Sequence, residues 1–555
     1  MAKSSKVRKD DSFLEGASVP IEGAQYTPED FSKEVFATLP IPSKPVWPES
    51  RYPVPKDDYA KMVIEAAKPV APSHEAFGPG SVSPQEDSGV DSTEPEDDDR
   101  DYPEDDLMAT PAMPSGAPST LANFEGIPDT GWFPADCTMA VGPNHVLLSV
   151  NSNIVLYNKS GGLVRNWGSL ANFFAPVMPK DTSFIFDPVI AYDHYSARWI
   201  VCAVVRRDSP SKGSWIMLGV SAGSSPTGSY YLWATDATRD GSNQTDNWAD
   251  YPMLGFDTQC IYVTANQFKF GGSFQYSKLR IFHKAQVYGG GVGASRNITW
   301  YDYWNFSNPG IAGSKAFTII PCQHFRGNQG KPPAYFVNAL WPSGDKLVVR
   351  TLENPSWYWT GGSGTWKANN VSCISYALPP DGQQPGTNVL LETNDTRVLK
   401  AVFQHAGGVQ RLWCCLTSAF TWSGEKVARS VVNWYEIDIP SMKIVQQNRF
   451  GQKGSYYFFP SLQTDINRNM ALVFGRCSSN EFPQLRQTGR RVSGAPNSLE
   501  GSVRLVAGLS ANLSRRWGDY FDAARDPANT NTMWLYGAYA DANGKWRTRA
   551  ASVRY

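Results

Sequence analysis

No stretch of this chain approaches the 18 or more consecutive apolar residues of a membrane-spanning helix. Its first sixteen residues, MAKSSKVRKDDSFLEG, are basic but lack the apolar core of a secretory signal. The expectation is a chain with no membrane span and no cleaved signal peptide, either cytoplasmic or exported by a signal-independent route. Cysteine is sparse: the eight, at 137, 202, 260, 322, 373, 414, 415 and 477, show no C-x-x-C or zinc-like spacing. Several sit in apolar runs such as Trp199-Ile200-Val201-Cys202, where a free thiol behaves as a small hydrophobe. Also absent are a G-x-S-x-G elbow, a Walker A loop, H-E-x-x-H, a Gly-rich dinucleotide loop after a strand, and an S-x-D-x-G-x-x-W box. These absences remove the usual nucleotide, zinc-peptidase and serine-hydrolase chemistries, and no organic cofactor is expected. No nucleic-acid-binding motif is found.

Charge is present but unevenly placed. The net charge is −1, yet residues 86–106 hold twelve acids and one arginine. With −2 over residues 1–85 and −11 over 86–106, residues 107–555 carry +12. A basic body with an acidic tail speaks to partners, because the body can attract an anionic polymer and the tail can compete for the same surface. Residues 1–118 are rich in Pro, Ser, Glu and Asp, so they bury too little to offset ordering entropy and read as a disordered tail. Two short amphipathic segments interrupt it, near 28–38 (N-cap Thr27, Pro28, then Phe31, Val35, Phe36) and 57–67 (Tyr59, Met62, Val63, Ala66). Both are expected as short helices able to dock on the body or on a protein partner.

The remaining residues, 119–555, form a second unit that becomes legible through its period. Over the whole chain aromatics make up 13% and Gly plus Pro number 87, a composition suited to short strands joined by tight turns. One unit recurs: an acidic or aromatic residue, a short apolar strand, a Gly-Pro or Asp turn, then a second strand rich in Val, Ile, Trp and Tyr. It starts at Asp136, Asp187, Asp250, Phe459 and Asp519, with weaker copies from Phe317 and Asp395. The turn residues of the clear copies, 142, 193, 257, 465 and 526, are spaced by 51, 64 and 61 where adjacent. The 208-residue gap divides into three. Seven four-stranded units repeated radially predict an all-β, seven-bladed β-propeller, with six or eight blades admitted.

The segments GWFPADCTMAVGPNHVLLSVNSNIVLYNKSGG, DYPMLGFDTQCIYVTANQF and RRWGDY…DPANTNTMWLYGAYADANGKWRTRAASVRY resemble a group of bacterial, often exported β-propeller domains of unassigned activity. The resemblance covers about 120–555 and implies a fold rather than a reaction. The acidic tail and the missing export signal set this chain apart from that group.

If each motif is an innermost strand, its opening residues meet at one mouth of a central channel. Asp136, Asp187, Asp250 and Asp519 would converge there, two of them within W-x-D-Y: Trp248-Ala249-Asp250-Tyr251 and Trp517-Gly518-Asp519-Tyr520, the latter preceded by Arg516. Carboxylates beside aromatic planes suit sugar recognition, and paired carboxylates suit glycoside hydrolysis. The plainer alternative is that each Asp caps backbone N–H groups at a repeated structural position. At the opposite strand ends, His145, His194, His324 and His405 occupy turns between first and second strands, and a metal ion held there is the one cofactor admitted. The leading functional expectation is a binding module for an anionic or neutral glycan, with the tail as docking or regulatory segment. The alternatives are a polysaccharide hydrolase or lyase using the channel-mouth carboxylates, and a protein-interaction scaffold or exported effector carried by its tail.

Overall fold

The computed structural model describes residues 22–26, 36–39, 116–182, 185–240, 243–291, 297–326 and 333–555. Over the described residues it is an all-β propeller, 58% strand and 4% helix, so strands build most of the core, with Leu170, Phe173 and Val287 added from short helices. Five antiparallel sheets of four or five strands stand separately: 138–169; 185–236 with Phe36–Leu39 on its edge; 320–376; 455–506; and 522–554 with Ser119–Pro128. A ten-stranded sheet holds two further antiparallel runs, 247–304 and 398–450, joined through Gln323–Arg326. That joint is parallel, Phe256 with Gln323 on one side and 323–326 with 402–405 on the other. Innermost strands all run the same way along the axis, so where two of them touch, only parallel pairing is open to them.

Burial falls from axis to rim, as the residue pattern requires. Innermost strands such as Ser455–Thr464 (SYYFFPSLQT) are buried at every position, and so carry apolar residues on both faces. Outer strands such as Thr365–Tyr376 and Lys443–Phe450 are mostly half-buried or exposed. Each innermost strand packs on the next, and the last, Asp522–Arg525, returns to the first, Thr138–Val141. The ring is also closed by hydrogen bonding between strands from the two ends of the body. Ser119–Pro128 pairs with the C-terminal strand Trp546–Arg554, so the start of the body supplies the rim strand of its last sheet.

One backbone device recurs at the start of the innermost strands. Asp136, Asp187, Tyr251, Thr318 and Phe459 all have φ between 47° and 51°, in the left-handed region. Pro188, Pro252 and Pro460 follow three of them, and the ladder slips at each: 186/189, 250/253 and 458/461. The bulge turns the residue's N–H out of its own sheet toward the neighbouring one. There it is received by a side chain: Asp187 N–H by Asn151 Oδ1 at 3.1 Å, Tyr251 by Asp187 Oδ2 at 3.0 Å, Thr318 by Asn266 Oδ1 at 2.9 Å, Phe459 by Thr417 Oγ1 at 3.2 Å. Sheets are thus latched to one another at the inner rim.

Seven cysteines are buried and Cys373 is half-buried, and all eight are free thiols. The helical reading of 28–38 is corrected at its end: Phe36–Leu39 is a strand paired with 230–233, because the exposed edge of that sheet offers hydrogen-bond partners that a helix of one or two turns cannot match. Glu22–Tyr26 likewise pairs with 300–304. The whole of 1–118 is therefore not free of structure, while the 57–67 segment lies outside the described residues. Among the described residues no helix is long and apolar enough to cross a membrane.

Two expected outcomes follow. Deleting residues 1–115 leaves the melting temperature within a few degrees, whereas deleting 1–128 removes a rim strand and lowers it by about 10 °C or more; equal effects in calorimetry would refute the closure. At Gly255 a Cβ would lie 2.7 Å from the Cys322 carbonyl oxygen and 2.8 Å from the Pro321 carbonyl carbon. Gly255→Ala should therefore cost about 1–3 kcal/mol by denaturant titration, since backbone on both sides cannot yield; an unchanged midpoint contradicts the contact.

Candidate binding cavity

The structure brings the four aspartates together, but inside the protein. Asp136, Asp187, Asp250 and Asp519 are 0%, 2%, 4% and 3% exposed, and Trp248, Tyr251, Arg516, Trp517 and Tyr520 are buried with them. The expected open mouth of carboxylates is therefore a plug. The physical reason is the latch: Asp136 Oδ1 accepts the Asp519 N–H at 2.8 Å and its Oδ2 accepts Asn151 Nδ2 at 2.8 Å, while Asp187 Oδ2 serves Tyr251. Carboxyls engaged with backbone across sheet boundaries are drawn into the protein, away from solvent. Arg516 binds Asp519 at 2.8 and 3.0 Å and meets Glu392 at 3.3 Å. The tyrosines complete the stopper: Tyr251 and Tyr520 pack edge to face at 5.7 Å, and Tyr520 Oη donates to the Pro188 carbonyl at 2.8 Å. Trp248 is covered by Arg206, whose guanidinium carbon is 4.2 Å from the ring centre. The alignment of the four acids also needs correction. Asp136 and Asp187 are left-handed latch residues, whereas Asp250 precedes the latch residue Tyr251.

Burial first, and the charges of neighbouring aspartates second, hold the Asp136 and Asp187 carboxyls well above the ordinary carboxylate range. Asp250 is raised to about 7, by burial and then by the charge of Asp519, with Arg397 opposing. Arg516 acts against the shift of Asp136, and Arg397 and Arg206 against that of Asp250, without cancelling either.

The channel opens at the other end. A cavity of about 640 Å³ lies where the innermost strands terminate, bounded by Met139–Val141, Ala191–Tyr192, Gln323, Gln404–Gly408 and Ala524–Arg525 among others. Toward the plug it narrows to a neck of about 40 Å³ between Ile190, Met253, Leu254 and Tyr520, beside the Lys400–Asp522 ion pair (2.6 Å). The cavity is thus a blind funnel, of a size that encloses a small ligand. No Asp or Glu lines it.

The histidines divide. His194 and His405 line the cavity; His324 is fully buried against Tyr335 and Phe403; His145 is a half-buried strand residue outside the cavity lining. Four ligands therefore do not converge, and among the described residues no three His, Cys, Asp or Glu form a group suited to a metal. His194 lies parallel on Phe325 at 4.9 Å, and burial lowers its pKa to about 3, so it stays neutral.

Arg525, which was not among the expected site residues, lies in the cavity wall over Phe325, 4.1 Å from the ring centre. Its Nε donates to the Thr464 carbonyl at 2.6 Å, and Nη2 donates to Thr464 Oγ1 at 3.0 Å and Gln404 Oε1 at 3.1 Å. Every acceptor is neutral. A signal for it exists in the sequence: the residue before each turn is Val141, Tyr192, Phe256, Thr464 or Arg525, and only the last is charged.

No protein-family model and no curated protein matches the chain. Among solved structures it is similar to a protein of unknown function from Dyadobacter fermentans (8% identity, 66% of this chain and 94% of that one, TM-score 0.34). It is also similar to an α-L-arabinofuranosidase of Fusarium graminearum in complex with arabinobiose (8%, 64% and 89%, 0.28). A third is the Trypanosoma rangeli sialidase in complex with sialic acid (9%, 79% and 59%, 0.34). Likenesses at this level carry no statement about activity.

The raised acids make stability depend on pH in a definite direction. A carboxyl whose folded pKa lies above its unfolded one binds its proton more tightly when folded, so its contribution is complete below about pH 4 and is lost as pH rises through the folded value. For Asp250 that window is between about 4 and 7. Asp250→Asn should flatten the fall in urea midpoint across it, by up to about 1.4 kcal/mol per pH unit. A slope as steep as that of the unmodified protein would show that Asp250 does not titrate there.

Proposed function

We propose that this chain is a binding module that takes the end of a carbohydrate chain into the funnel opposite the plugged aspartate rim. The observation that carries it is the blind 640 Å³ cavity, walled by apolar groups and by a few inward polar ones, Gln323, Gln404, His194 and Arg525. Such a wall offers stacking surfaces and hydrogen bonds to hydroxyls. Hydrolysis by a carboxylate pair is not favoured: the four aspartates are sealed, and no acid lines the open cavity.

In the same reading the ten-stranded sheet is two blades that touch at Gln323–Arg326, which restores the seven-fold count of the repeat. The kinship to exported bacterial propellers fits this arrangement. The tail acts as a docking segment, a role supported by Glu22–Tyr26 and Phe36–Leu39 pairing on the rims of two neighbouring sheets.

The test is titration calorimetry against a panel of acidic and neutral oligosaccharides, using the unmodified protein and Ala524→Trp, which fills the cavity wall. Binding that the tryptophan weakens at least tenfold is expected. Binding unaffected by Ala524→Trp, or none to any oligosaccharide at low salt, refutes the proposal.

A further inference from the structure

We infer that the funnel recognises an oxyanion at the terminus of its ligand, seated on Arg525. The inference rests on the binding reading above and names its chemistry. Arg525 is held in place without being neutralised: Nε and Nη2 are fixed by Thr464 and Gln404, and no carboxylate lies within ion-pair distance among the described residues. The nearest acid acting on it, Asp465, gives its own oxygens to Asn469, accepting the N–H at 2.9 Å and Nδ2 at 2.7 Å. Arg525 Nη1 makes no hydrogen bond among the described residues and remains as a donor on the cavity side.

A cation in a site of low dielectric gains far more from an entering anion than the same pair would in water. The guanidinium is half-buried in the wall, where burial lowers its pKa to about 9, and it is still charged at neutral pH. No acid lines the cavity, so none meets an entering anion directly, and the flat Phe325 ring lies 4.1 Å from the guanidinium carbon. His194 Nδ1, buried and without a hydrogen-bond partner, adds one more polar atom on the same Phe325 ring. The narrow neck forbids passage of a chain through the channel, so the recognised group is terminal.

The fitting chemistry is an oxyanion on a sugar end, either a hexuronate carboxylate or a sulfate or phosphate ester. The experiment uses a matched pair, trigalacturonate and its full methyl ester, which share a skeleton and differ in charge, with inorganic sulfate and phosphate as free anions. Each is titrated into the unmodified protein, Arg525→Met and Arg525→Lys. The acid is expected to bind at least tenfold tighter than the ester, with that ratio collapsing in Arg525→Met and partly kept in Arg525→Lys. Circular dichroism of both variants confirms folding, and the lysine variant serves if the methionine one fails. Equal binding of acid and ester overturns the inference while leaving carbohydrate binding intact. Failure of both trimers alongside Arg525-dependent stabilisation by sulfate or phosphate upholds the anion site and removes the carbohydrate reading. Absence of any Arg525-dependent response to all four probes overturns it outright.

Discussion

Much of this structure depends on one hydrogen bond repeated around the axis: a backbone N–H, turned outward by a left-handed residue, that finds its acceptor only on a neighbouring sheet. A buried N–H left without a partner costs about 1–3 kcal/mol, so each bulge is tolerable only when the neighbouring sheet is in place. The donor at Asp187 is served by Asn151, that at Thr318 by Asn266, and that at Phe459 by Thr417. Sheets bound in this way stabilise one another cooperatively. The pairing of Ser119–Pro128 with the C-terminal strand then ties the two ends of the body into the same ring.

The same constraint explains why the two ends of the channel differ. At the strand starts, side chains are recruited to serve backbone, and the rim closes over Asp136, Asp187, Asp250 and Asp519. At the strand ends sheets are also bonded, as from Gln404 Nε2 to the Asp465 and Ile466 carbonyls, but the turns there differ in length and a funnel is left between them. Structural demand and available space are segregated along one axis, which leaves side chains at the wide end free to differ from sheet to sheet.

How much of this the sequence showed follows from that segregation. The repeat, the innermost strands and the buried thiols were legible because each is a periodic or compositional property of short segments. Convergence of the aspartates was legible too, since it needs only the ring and the period. Their sealing was not, because it depends on which side chain answers which N–H across a sheet boundary, a matter of ångströms that spacing does not encode. The W-x-D-Y match drew Asp250 level with Asp187, while the backbone puts Tyr251 there; local likeness outweighed a one-residue shift at the bulge. Among the histidines, spacing relative to the turns could not separate His194, at the cavity, from His324, whose ring is packed against Tyr335 and Phe403.

Repetition and uniqueness therefore carry opposite meanings in a ring of this kind. A residue type that recurs at one position in successive sheets meets a requirement each sheet shares, and that requirement is structural; the aspartates and their aromatic neighbours belong to this class. A residue that breaks the pattern at an otherwise apolar or neutral position has no such shared reason to be there. Arg525 stands where other sheets carry Val141, Tyr192, Phe256 and Thr464. It bears a charge whose burial opposes folding and which, among the described residues, no acid lies close enough to pair. Three hydrogen bonds to neutral oxygens hold it at the funnel wall. That cost is physically intelligible when the compensating charge arrives from outside. The basic balance of residues 107–555 would favour the approach of such a ligand from a distance.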